Sequence, residues 1–157
     1  MSEIIVKGII EEDFVNYRLP CMTIMFPNCS FKCGRELCQN SLLVKAEEVS
    51  AVPKALVSRY LDNPITKAFC FQGLEPFDSP GMFDLVEEIR ARTSDDIVIY
   101  TGYTRDEADD HAWIDWLKQF PNIIVKYGRY IPGQEPHFDE VLGVNLASDN
   151  QYAVKES

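Results

Sequence analysis

The chain has 157 residues, 46% of them hydrophobic, which is enough apolar content for one domain with its own core, and residues 1–157 are read as that single domain. The net charge is −10, with acidic residues spread along the whole length, a surface that repels phosphate backbones and argues against a nucleic-acid ligand. The opening MSEIIVKGIIEED lacks a basic and apolar leader, and no apolar run approaches the roughly 18 residues of a membrane span. The expectation is therefore a cytoplasmic protein with no membrane partner, whose five cysteines stay reduced unless a metal holds them.

In chain order, the β-rich run Met22 to Phe26 leads into a loop, FPNCSFKCGRELCQN (26–40), that puts Cys29, Cys33 and Cys38 into ten positions. A helix follows, with Ser50 as its expected cap, Pro53 in its first turn, and Val52, Leu56 and Tyr60 on one face. Residues 67–71 read as a short buried strand ending at a turn, GlnGlyLeuGluPro (72–76). Ser79-Pro80 opens the next helix, whose apolar stripe is Met82, Leu85, Val86 and Ile89. A strand at 97–100 precedes ThrGlyTyr. Thr104 and Glu107 then have capping-box spacing for a third helix, expected to turn Trp113, Trp116, Leu117 and Phe120 inward. Residues 123–126 form a last apolar strand.

This alternation of continuous apolar strands with helices predicts an α/β fold with a mainly parallel sheet and right-handed crossovers. In such a sheet the strand-to-helix loops share one edge, where ligands bind. The cysteine loop, residues 72–76 and residues 101–103 all follow strands, so they are expected to converge.

Three thiolates close a zinc site when a fourth ligand is at hand, or they hold three irons of a 4Fe-4S cluster and leave one iron open for a non-protein ligand. The zinc reading lacks a second pair of ligands at short spacing, since His111 falls in a predicted helix and His137 in a distant loop. Unligated thiols are the third reading. Cys21 and Cys70 flank or occupy apolar strands, where a cysteine is usually a small buried hydrophobe.

Over nearly the whole chain these residues resemble the radical S-adenosylmethionine (SAM) family, and within it the small activating proteins of anaerobic ribonucleotide reductase. The resemblance lies in residues 13–16, in MetThrIleMetPheProAsnCys (22–29), in CysGlnAsn (38–40) and in GlnGlyLeuGluPro (72–76), similar to that family's Gly-Gly-Glu-Pro. It continues in IleTyrThrGlyTyr (99–103) and SerAspAsnGln (148–151). Two departures stand out. The third cysteine follows the second after four residues where the family has two, with Leu37 in place of an aromatic residue, and residues 17–21, TyrArgLeuProCys, replace a glycine-rich piece.

The resemblance implies a partial (β/α) barrel of radical SAM type in which Cys29, Cys33 and Cys38 ligate a 4Fe-4S cluster and the fourth iron chelates the amino and carboxylate groups of SAM. It implies that Gly73 and Glu75 border the methionine end, that Thr101 contacts SAM, and that Leu37 and Asn40 belong to the cofactor-binding loop. The implied reaction takes one electron from an external donor, cleaves SAM to methionine and a 5'-deoxyadenosyl radical, and removes hydrogen from a glycine of the large anaerobic ribonucleotide reductase subunit. No side-chain acid or base is required. About 30 residues follow Lys126, too few to complete a barrel around a small substrate, and residues 127–134 and 136–143 are candidate docking surface. A radical SAM enzyme with another substrate and a non-enzymatic zinc-binding module are the rival readings.

Overall fold

A computed structural model describes residues 3–28 and 47–157. Its centre is a six-stranded sheet in the order β10-β7-β6-β5-β3-β2. The four inner strands, β3 (Cys21–Phe26), β5 (Ala68–Gly73), β6 (Asp96–Tyr100) and β7 (Ile123–Tyr127), run parallel. They are the apolar runs expected from the sequence: β3, β6 and β7 are each one residue longer, and β5 starts one residue later and ends two residues later than expected. The outer strands β2 (Gly8–Asp13) and β10 (Tyr152–Lys155) lie antiparallel on β3 and β7. The architecture is α/β with a mainly parallel sheet, compatible with a partial barrel.

Alternation along the strands divides the core in two, because successive side chains point to opposite faces. Phe69, Phe71, Ile97, Ile99, Ile123 and Val125 pack on the face covered by helices. Those helices are α1 (Pro53–Asp62), α2 (Pro80–Arg92) and the short pair α3 (Arg105–Asp110) and α4 (Trp113–Leu117). Cys21, Cys70, Val98 and Ile124 pack on the other face, against Tyr17, Leu142 and Leu146. That face is covered by irregular chain and by a hairpin of β8 (His137–Asp139) with β9 (Val144–Leu146). A small ladder of β1 (Ile4–Val6) and β4 (Val49–Ala51) completes the strands. Among the described residues no helix is long and apolar enough to cross a membrane.

Several local expectations are corrected. Ser50 lies in β4 and does not cap α1; the cap position is Val52, without a side-chain bond, and Pro53 alone marks the start. Residues Gln72 and Gly73 continue β5 and do not belong to a turn. The single helix expected after Thr104 is two helices. Its capping box is present, but Ala112 takes a left-handed conformation (φ 61°) and breaks the chain between α3 and α4. Because of that break the apolar stripe shifts: Ile114 and Leu117 are buried, while Trp113, Trp116 and Phe120 pack only half-buried at the margin of the core.

Candidate functional site

The carboxyl ends of β3, β5, β6 and β7 share one edge, and the loops leaving them are tied together. Asn28, just past β3, donates to the Asp78 carbonyl at 3.3 Å. The Leu74 amide donates to the Phe26 carbonyl at 3.0 Å, and the Tyr103 hydroxyl to the Asp78 carboxylate at 2.6 Å. Among the described residues, the convergence expected from strand order holds for the loops after β5 and β6 and for Asn28 at the end of β3. Cys29, Cys33, Cys38, Leu37 and Asn40 lie outside the described residues, but β3 delivers the chain to them at this edge.

Gly73 ends β5 beside Phe26 in register. It has φ +102°, and a Cβ there would sit 2.4 Å from the Phe26 nitrogen. Only glycine permits this approach. Its closest demand is thus from the strand that leads into the cysteine loop.

Glu75 is completely buried. Its carboxylate accepts from the Phe77 amide (3.0 Å), from the Gly102 amide (2.8 Å) and from the Thr101 hydroxyl, 2.9 Å from each oxygen. Burial pushes its pKa up to about 7, against the lowering effect of these donors. Thr101 is equally committed. Its amide donates to the Lys126 carbonyl and its hydroxyl oxygen accepts from the Tyr103 amide. Glu75 and Thr101, both singled out in the sequence, are brought together as a buried bolt between the loops after β5 and β6.

On the helix-free face, a cleft of about 840 Å³ opens at this edge, within the size range of small-molecule sites. Gln72, Gly73 and Lys126 line it from the sheet, and Thr101 and Gly102 from the loop after β6. Asn16 closes one side, and residues 128–132 and 144–147 the other. Ser148, Asn150 and Gln151 hold that second wall. Ser148 accepts from the Ile131 amide, and Asn150 and Gln151 donate to the carbonyls of Arg129 and Gly128. Lys126 was missed as a site residue. A lysine at the end of the apolar run IleIleValLys was the available signal.

The remaining titratable candidates are placed elsewhere. Cys21 and Cys70 are buried free thiols on the helix-free face. Burial raises both, Cys70 to about 12, so neither is poised to lose its proton to a metal. His111 is exposed and stacks on Trp113 at 4.1 Å; His137 meets the Gln151 carbonyl at 2.6 Å.

The donor chemistry fits an iron–sulfur cluster: Cys21 and Cys70 are buried in the core, the sequence that follows β3 carries three further cysteines within ten positions, and soft thiolates suit such clusters. The cleft at the same edge has room for a nucleoside-sized ligand. A model of the 4Fe-4S single cluster domain family matches residues 18–144. No curated protein and no solved structure gives a significant match. Residues 18–144 span β3 to β8, the cysteine loop and the first residue of β9, so the match takes in the four parallel strands and the loops after β3, β5 and β6, and the chain belongs to the 4Fe-4S single cluster domain family, a radical SAM-type enzyme domain.

Proposed function

We propose that the protein is an activating enzyme that uses SAM and an external one-electron donor to place a radical on a backbone glycine of the large anaerobic ribonucleotide reductase subunit. The observation that carries a protein substrate is the unfinished barrel. The parallel sheet stops after four strands, antiparallel β2 and β10 lie at its two outer edges, and the cleft lies at the edge where β3 ends. The likeness of residues 99–103 and 148–151 to the activases supports the particular partner.

In this reading Cys29, Cys33 and Cys38 hold the cluster. What the cluster supplies when bound is a single electron for reductive cleavage of the SAM sulfonium, giving methionine and a 5'-deoxyadenosyl radical that takes a hydrogen atom from the glycine α-carbon. The chain's own part is to bind and orient. Gly73 allows β5 to lie close against the start of the cysteine loop, and the Glu75–Thr101 bolt fixes the loops that border the cleft.

Electron paramagnetic resonance tests the proposal. Reduced, reconstituted enzyme with SAM and the large reductase from the same source is expected to give a glycyl radical. Deuterating the glycine α-carbon should remove the α-hydrogen splitting and carry deuterium into 5'-deoxyadenosine. Formation of 5'-deoxyadenosine without a radical on the reductase would instead favour a different substrate, a reading that the longer cysteine loop and the altered residues 17–21 support.

A further inference from the structure

The cleft floor holds a charge that the described residues leave largely uncompensated. Lys126 sits near the end of β7 on the helix-free face and is 6% exposed. Its ammonium has three donors. One goes to the Gly128 carbonyl at 2.9 Å, and the ammonium lies 5.6 Å from the centre of the Tyr100 ring. None of the ion pairs among the described residues includes it. The carboxylate that acts on it is Glu75, whose oxygens are already held by Phe77, Thr101 and Gly102. A buried ammonium with donors unused is costly unless a counter-charge arrives. Burial, partly offset by Glu75, depresses it to about 8, so at neutral pH it remains mostly a cation facing the cleft.

We propose that Lys126 binds a carboxylate side chain on the polypeptide segment that enters the cleft, an inference that rests on the protein-substrate reading above. Position argues for the polypeptide as the source. In that reading the methionyl carboxylate of SAM lies by Gly73 and the cysteine loop, at β5 and β3. Lys126 is two strands from β5 and three from β3, about 10 and 14 Å across the sheet at the usual strand spacing. Gln72 and Asn16, which also line the cleft, are neutral, and Arg129, the other cation of the lining, pairs with Glu107 at 3.3 Å, so Lys126 is the lining cation outside the ion pairs of the described residues and selects an acid over its amide.

The test uses reconstituted holoenzyme under anoxic conditions and two probes, N-acetyl-Gly-Asp-Gly-amide and N-acetyl-Gly-Asn-Gly-amide. Binding is followed by the methyl resonances of Val15, Ile131, Val144 and Leu146 around the cleft. The aspartyl peptide is expected to bind about tenfold more tightly than the asparaginyl one, as a charge-assisted hydrogen bond provides. Lys126→Met should erase that difference and Lys126→Arg should keep it. SAM affinity, by equilibrium dialysis, should be unchanged in Lys126→Met. Thermal unfolding checks that this variant folds, and removal of an uncompensated buried charge predicts a midpoint no lower than that of the parent protein. Equal binding of both peptides by the parent protein overturns the inference, and so does a tenfold loss of SAM affinity in Lys126→Met. Failure of the parent protein to bind SAM at all would count against the radical SAM activase reading, while the peptide comparison would still decide the role of Lys126.

Discussion

At the scale of single residues, the site is built from groups that the fold itself consumes. Gly73 is required because β5 and β3 approach so closely that a Cβ would meet the Phe26 backbone. Gly73→Ala is therefore expected to destabilise by about 2 kcal/mol or more, combining a backbone clash with a positive φ. Because the displaced strand is the one that leads into the cysteine loop, iron content after reconstitution should fall as well; full iron loading with unchanged stability would contradict this account of Gly73. Glu75 illustrates what sequence reading misses. Its type and position were legible from the strand–loop pattern, but a carboxylate after a strand has the same letters whether it faces a ligand or bolts two loops. Two of the donors that fill its carboxylate, the Thr101 hydroxyl and the Gly102 amide, come from the loop after β6, which no local pattern around Glu75 announces.

At the scale of elements, the four parallel strands were readable because buried parallel strands are continuous apolar runs. The helix starting at Pro80 was readable from Ser79-Pro80 and its stripe. The antiparallel strands were not. β2, GlyIleIleGluGluAsp, has a mixed pattern because it is an outer strand, and β8, β9 and β10 are three or four residues each, too short for any periodicity to register. The break between α3 and α4 was hidden because alanine is the best helix former, yet Ala112 sits at φ 61°. Ala112→Gly should relieve that left-handed strain and raise stability by up to about 1 kcal/mol in denaturant unfolding. A loss of the size seen for glycine in a helix interior would mean that α3 and α4 behave as one helix in solution.

At the scale of the whole molecule, the same buried charges set a pH dependence. The Glu75 carboxyl is raised from 4.5 to about 7 on folding, so the folded protein holds this proton more tightly than the unfolded chain. Its contribution is most favourable below pH 4.5 and is lost as pH rises through 7. The stability of the parent protein relative to Glu75→Gln is thus expected to decline between pH 5 and 8, by an amount of order a few kcal/mol. A difference that is flat with pH would show that Glu75 is ionised throughout. Lys126 works in another window: lowered from 10.5 to about 8, it penalises the fold fully below pH 8 and releases that penalty as pH climbs towards 10.5.

The molecule-scale claim is that an open α/β sheet presents a three-cysteine cluster beside a cleft and uses it on SAM. Its most direct measurement is anoxic incubation of the reconstituted, reduced protein with SAM, followed by chromatography for 5'-deoxyadenosine and analysis for iron and zinc. The account predicts roughly four irons per chain and 5'-deoxyadenosine in the parent protein and in Cys21→Ala and Cys70→Ala, with both lost in Cys29→Ala, Cys33→Ala and Cys38→Ala. Stoichiometric zinc, no iron and no 5'-deoxyadenosine would contradict it.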